Sequence, residues 1–247
     1  RANSRCECVV VRRSALSTVS VQEMLDSGVH FGHRVGRWNP KMERFIFGKR
    51  NLIHIINLRE TVKGLVRACN FIERLTADGR DVLFVGTKRQ ARTVIEAEAR
   101  RCNMPFVTER WLGGTLTNFE TIRLRLKRLE EIEALEAGSG LDVYTKKEQS
   151  RLNREKRKLL KNLDGIRRMA RLPGALVLVD PRREGNAVAE ALKLGIPTIA
   201  LLDTDCDPEV VDLPIPGNDD AMRSVRLILD RRADAVEEGG KVWGVVM

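Results

Sequence analysis

The chain predicts an α/β fold: a parallel sheet flanked by helices, with a two-helix insertion. Three observations carry that expectation. Short apolar runs rich in β-branched residues recur, amphipathic helical patterns alternate with them, and one central stretch has helical periodicity without any strand signal.

Residues 1–20, "RANSRCECVVVRRSALSTVS", hold four Arg, four Ser and a single acid, without an initiator Met or a regular period. They stand outside the fold as an extension, either the remnant of an organelle transit peptide or a poorly ordered segment. Apolar runs follow at "LIHII" (52–56), "DVLFVG" (81–86), "PFVTE" (105–109), "ALVLVD" (175–180) and "TIALLD" (198–203). Their continuous apolar character suits strands buried on both faces, as in a parallel sheet. Helical patterns span 61–75, 88–101 and 186–194, and a last helix follows "GNDD", where Asn218 suits an N-cap.

The stretch 119–171 breaks the alternation. Ile122, Leu126, Leu129 and Ile132 recur at three or four residues, and Leu152, Leu159, Leu163, Ile166 and Met169 continue the pattern after a turn at "EAGSGLDVY". Two antiparallel helices sharing one narrow apolar seam are expected, with capping-box spacing at Thr117 and Glu120. The organisation is then an extension (1–20), an α/β domain (21–118 and 172–235), an inserted hairpin (119–171) and a tail (236–247).

Forty-four Lys and Arg against thirty-four Asp and Glu give a formal charge of +10, unevenly spread. Residues 1–50, 51–118 and 119–173 carry +6, +4 and +6, while 174–247 carry −6. A basic face of this size favours a polyanionic partner, because each neutralised phosphate releases condensed counterions. No apolar run is long enough to span a bilayer, so a soluble protein is expected. The five cysteines are odd in number and include no C-x-x-C pair, which suits a reducing compartment.

Three stretches invite a chemical reading. In "GVHFGHRVGRWNPKM", His30 and His33 are interrupted by Gly32, and no third metal ligand sits near them in the sequence. In "DTDCDPEVVDLP" the alternate Asp residues imitate a calcium loop, but Pro208 and Pro214 stand where Gly and Glu are needed. In "VGTKRQA" a single Gly86 satisfies neither a dinucleotide fingerprint nor a P-loop, yet the helix start beside Lys88, Arg89 and Arg92 is a seat for a phosphate. No catalytic triad pattern or metalloprotease motif is present. Loops that combine Gly, an aromatic ring and cations recur instead, in "GHRVGRWNPKM", "FIFGKRN" and "RWLGGTLTNF". Such loops approach a nucleic-acid backbone closely, neutralise phosphates and stack on bases.

The motifs "VQEMLDSGVHFGHRVGRWNPKM", "VGTKRQA", "RWLGGTLTNF", "PGALVLVDPRREGNAVAEALKLGIPTIALLDTDCDP" and "IPGNDDAMRSVRLIL" occur in order over roughly 21–232. They resemble the family of small-subunit ribosomal protein S2. The resemblance implies a flavodoxin-like (Rossmann-like) three-layer parallel sheet with an inserted antiparallel coiled-coil helical hairpin, the hairpin marking the bacterial and organellar branch. It further implies binding to small-subunit rRNA between head and body, late entry into assembly, and a docking platform for ribosomal protein S1. No cofactor, no metal, no catalysis, no membrane contact and no homo-oligomer are implied. The location is then a bacterial cytoplasmic ribosome, or a chloroplast or mitochondrial one if residues 1–20 are a transit remnant.

Placed in that frame, Arg34, Arg37, Trp38, Asn39, Lys41, Lys49 and Arg50 are expected to lie near RNA. Lys88, Arg89, Gly113, Gly114, Thr115 and Asn118 form a second group, and the histidines serve as packing or RNA-contacting residues. The acidic last third is the better protein-binding face, with Asp219 and Asp220 as the partner-contacting pair. Two rivals remain: a nucleotide-dependent α/β enzyme using the strand ends at Gly86, Asp180 and Asp203, and a free regulatory RNA-binding protein outside any ribosome.

Overall fold

A computed structural model describes residues 20–138 and 144–246. The extension read over 1–20 and the turn in "EAGSGLDVY" lie largely outside these residues. A five-stranded parallel sheet forms the centre, from β4 (Val82–Val85), β5 (Phe106–Val107), β6 (Ala175–Val179), β7 (Thr198–Leu202) and β8 (Leu213–Pro216). Its spatial order is β5-β4-β6-β7-β8. Renumbered within the sheet, that is the 2-1-3-4-5 flavodoxin-like order, in which the direction of strand addition reverses between β4 and β6.

The alternation of side chains divides the core in two. Val82, Phe84, Val177, Val179, Ile199 and Leu201 face one layer, built with α2 (Leu58–Ala77), α3 (Arg89–Arg101) and α7 (Met222–Val246). Leu83, Val85, Leu176, Leu178, Ala200 and Leu202 face the other, which holds α6 (Gly185–Leu194), Trp111, Leu116 and the base of the insertion. The strands are therefore buried on both faces, which is why they read as unbroken apolar runs.

The run "LIHII" belongs elsewhere. It forms β3 (Ile53–Ile56), the middle strand of a separate antiparallel sheet with β1 (Phe31–Arg34) and β2 (Ile46–Arg50). The expected parallel strand is corrected: β3 buries one face only, through His54 and Ile56, and its three apolar Ile residues hide that alternation. Strands β2 and β3 join through a two-residue turn in which Asn51 and Leu52 both take positive φ, 49° and 60°. That matches the right-handed twist of a hairpin.

Helix α1 (Val21–Asp26) opens the described chain with a capping box between Ser20 and Glu23. The insertion comprises α4 (Phe119–Ala137) and α5 (Lys146–Leu163), which touch each other and are bridged by the ion pairs Lys156–Glu136 and Arg128–Glu155. Ile122, Leu126, Leu129 and Ile132 are buried as their spacing predicts. The box expected at Thr117 and Glu120 is not formed: Asn118 is the N-cap, and Thr117 is engaged elsewhere. A capping box occurs instead at Thr145 and Glu148, where α5 begins. Asn218 accepts from the backbone N–H of Asp220 and Ala221, ordering the turn that leads into α7. Helix α7 continues through 236–246, the stretch assigned from sequence to a tail.

Gly64 on α2 lies where the helix presses on β8. A Cβ there would meet the Pro214 carbonyl oxygen at 2.6 Å and the Ile215 Cα at 3.3 Å, both backbone atoms that cannot swing aside. Gly36, by contrast, has open space around it. Gly64→Ala is expected to lower stability by about 1–3 kcal/mol and Gly36→Ala to leave it nearly unchanged, as read from urea unfolding midpoints.

Candidate nucleic-acid interface

The stretch 28–42 runs over the C-terminal edge of the parallel sheet, and its backbone is tied there by named acceptors. The His33 N–H donates to Thr204 Oγ1 at 2.9 Å and to Asp203 Oδ1 at 3.2 Å. The Asn39 N–H donates to the Thr204 carbonyl at 2.8 Å, and the Asn218 N–H returns a bond to the Val29 carbonyl at 3.0 Å. Gly32 permits the close approach, since a Cβ would stand 2.6 Å from Thr204 Cγ2. Asn39 caps the following 3₁₀ turn by accepting from the Lys41 N–H, and Met42 and Phe45 plug that turn into the core.

The three histidines have different environments. His30 packs its ring 4.0 Å from Phe31, and His54 lies buried 5.1 Å from the Trp38 ring; burial lowers the pKa of both, with Lys49 adding to the effect on His54. His33 behaves in the opposite way. Its Nδ1 stands 3.0 Å from Asp203 Oδ1 and its Nε2 3.5 Å from Asp220 Oδ2, and interaction with Asp203 raises its pKa to about 9. His33 thus links the loop to the sheet edge through Asp203 and Asp220.

Among the described residues, His33, Asp203 and Asp219 are the group whose ligand-type atoms come within 4.8 Å of one another. The third partner missing near His33 in the sequence arrives from 170 residues away, while His30 stays outside the group. Lys88 already holds this cluster: its ammonium lies 2.7 Å from Asp219, 2.6 Å from Asp220 and 3.9 Å from Asp180. Burial pushes the Asp219 carboxyl upward, Asp203 adds to that, and Lys88 pulls it back.

The approach to the helix start in "VGTKRQA" is engaged as well. The Thr87 N–H and hydroxyl both donate to the buried Glu184 carboxylate, at 2.7 and 2.6 Å. Arg92 turns back to the Thr87 carbonyl and to Glu109. Glu184 thus holds the residue before the N-cap Lys88, and no side chain caps the first turn of α3. Gly86 serves packing, since a Cβ there would fall 2.3 Å from the Ile95 side chain.

The loop "RWLGGTLTNF" is organised by Glu190, a residue that no sequence motif singles out. Its Oε1 accepts from Trp111 Nε1 (3.0 Å) and the Gly114 N–H (2.8 Å), and its Oε2 from the N–H groups of Leu116 and Thr117 (3.0 and 3.2 Å). Burial tends to raise its pKa, but these donors together hold it below the ordinary carboxyl value. The available signal is a charge amid Ala187, Val188 and Ala191, on the apolar face of α6.

The expected RNA residues separate accordingly. Arg34, Arg37, Lys49 and Arg50 are exposed, with no ion pair among the described residues, and lie on β1, β2 and the turn between them. Trp38 and Asn39 are half-buried beside them. Lys41 is exposed but bound to Asp207 and Glu209. Arg89, Gly113 and Asn118 are exposed, Gly114 is half-buried with its N–H committed to Glu190, and Thr115 is buried with its hydroxyl on the Leu112 carbonyl. Thr115 is thus buried, and Lys88 is half-buried against its carboxylates. Asp219 is 1% exposed and faces Lys88; only Asp220 of that pair reaches solvent. Phe31, Phe47 and Leu52 add exposed apolar side chains around the cations.

The protein is thus an α/β fold whose flavodoxin-like sheet holds its own ion pairs at the strand ends, beneath loops that carry exposed cations without an ion pair among the described residues. The family model described as Ribosomal protein S2 matches residues 24–239. The chain is 60% identical over 219 residues to a protein of Rhodopirellula baltica named small ribosomal subunit protein uS2, covering 89% of this chain and 84% of that one. A Synechocystis protein of the same name is 54% identical over 224 residues, covering 91% and 83%. The chain belongs to the ribosomal protein S2 family.

Two outcomes follow from the buried acids. Glu190→Gln puts an amide donor against two N–H groups and should cost about 1–3 kcal/mol in urea unfolding at neutral pH. Because the folded pKa of Glu190 is depressed, its contribution is full above the ordinary value of 4.5 and fades as pH falls through the lower folded value, so the two proteins converge in acid. For His33 the sign reverses. Its raised pKa makes its contribution full below 6.5 and lost as pH rises to about 9, so the stability gap between the chain and His33→Gln should narrow over that interval.

Proposed function

We propose that the protein is a structural constituent of the small ribosomal subunit, without catalytic activity, and that it attaches through rRNA. The observation that carries this reading is the set Arg34, Arg37, Lys49 and Arg50, exposed and unpaired among the described residues, on a loop and small sheet fixed to the edge of a rigid core. Cations held on rigid backbone contact phosphates with little ordering cost, and Trp38 and Phe47 beside them suit stacking on unpaired bases. Asn39 and Lys41 lie within the same loop, with Arg89, Gly113, Gly114 and Asn118 as a second contact area. The names of the relatives agree with a small-subunit location. Their organisms favour a bacterial-type ribosome, in the cytoplasm or an organelle.

Within this reading the protein sits between head and body, enters late in assembly, and offers its acidic last third, through Asp220 and neighbouring carboxylates, to ribosomal protein S1. The helical insertion, with exposed Arg and Lys along α4 and α5, is a second arm toward RNA or protein. No helix among the described residues is long and apolar enough to cross a membrane.

Sedimentation of a lysate with this chain detected by antibody tests the assignment. Co-migration with the small-subunit peak, and release as salt rises, is expected; recovery only in light fractions sinks it. Replacing Arg34, Arg37, Lys49 and Arg50 together by Ala should reduce the slope of log retention against log salt by roughly 3, at about 0.7–0.9 for each phosphate no longer neutralised. An unchanged slope removes these residues from the RNA account.

A further inference from the structure

Beside the cationic loop the surface changes character. A groove of about 820 Å³ opens between α6 and the segment 205–212. Its floor is apolar: Val188, Ile196 and Val211 are buried beneath it, while Leu192 (78% exposed) and Val210 (47% exposed) stand up along its sides. Its rim is acidic, with Asp205, Asp207, Glu209 and Asp212. Arg182 pairs with Asp205, and Lys41 reaches over to Asp207 and Glu209, so four carboxylates face two cations. On a chain of formal charge +10, this is a negative surface where a polyphosphate would be repelled.

We propose that this groove binds an extended, basic and aliphatic segment of a neighbouring small-subunit protein. Its aliphatic side chains lie on Leu192, Val210 and the floor, and its Lys or Arg residues pair with Asp207, Glu209 and Asp212. The apolar floor supplies contact area, and the acidic rim selects a cationic chain over RNA and over an acidic peptide. Lys41 is the switchable part, since an incoming cation competes with it for Asp207 and Glu209 and releases it toward the RNA side. The identity of the occupant as a ribosomal protein rests on the function proposed above; the chemistry of the groove does not.

The first test titrates the full chain with a fluorescent hexapeptide of sequence Lys-Val-Arg-Leu-Lys-Val, read by anisotropy, against Glu-Val-Glu-Leu-Glu-Val and oligouridine. Saturable binding of the basic peptide and not of the acidic one is expected, and oligouridine, held by the cationic loop, should fail to displace the bound basic peptide. Leu192→Arg and Glu209→Lys, both at exposed positions, should each weaken it about tenfold. Equal binding of the acidic peptide, indifference to both substitutions, or binding seen only after removal of residues 1–19 overturns the proposal, the last by assigning the groove to this chain's own segment. The second test places a photo-crosslinking side chain at position 192 in small subunits. A crosslink to a small-subunit protein through a basic segment supports the proposal, and a crosslink to rRNA overturns it. Failure of the chain to enter subunits at all counts against the ribosomal function, while the peptide titration still decides the groove.

Discussion

Buried carboxylates that accept backbone N–H groups hold this structure in its shape. At the C-terminal edge of a parallel sheet the chain leaves each strand in irregular loops, whose donors no ladder satisfies, and an unpaired buried donor costs free energy comparable to a missing hydrogen bond. Glu184 accepts from Thr87, Glu190 from Gly114, Leu116 and Thr117, and Asp203 from His33 and Thr204. Each acid is buried, so its donors offset the loss of hydration. These bonds tie the loops to the sheet edge.

That constraint decides what the fold can do. The reversal between β4 and β6 is where a flavodoxin-like sheet ordinarily receives a ligand. Here the strand ends named by the rival nucleotide-enzyme reading are engaged within the chain: Asp180 and Asp203 surround Lys88 and His33, and Gly86 faces Ile95. The loop 28–42 is bonded across the opening through Thr204 and Asn218. The loop that carries Arg34 and Arg37 is thereby held against this edge.

How much of this is legible in sequence depends on the kind of signal each element leaves. Strands β4, β6 and β7 are clear because burial on both faces leaves an unbroken apolar run. Strands β1 and β2 read as loops because "FGHR" and "IFGKR" carry Gly and cations, and the hairpin turn from β2 to β3 uses Asn51–Leu52 where Asn-Gly is the recognisable pair. Strand β8, "LPIP", has two prolines, which only an edge strand tolerates, and edge position is invisible in sequence. At the site, the exposed loop cations are legible as a class. What sequence does not supply is which charges meet: Lys88 and Asp219 are 131 residues apart, and each reads as surface until the fold pairs them.

The same pairing changes the meaning of the chain's charge. The −6 of residues 174–247 suggests an acidic outer face, yet Glu184, Glu190, Asp203 and Asp219, all from that segment, are buried. With Glu98, five acids among the described residues lie inside against one buried cation, Arg232. Part of the acidity is therefore internal, directed at loop N–H groups, His33 and Lys88. The charge that the described residues show to solvent is more positive than their formal total. In the groove beside α6 the carboxylates outnumber their cationic partners. A polyanion and a basic peptide can then share one small protein without competing, because each sign of charge is gathered on its own stretch of surface.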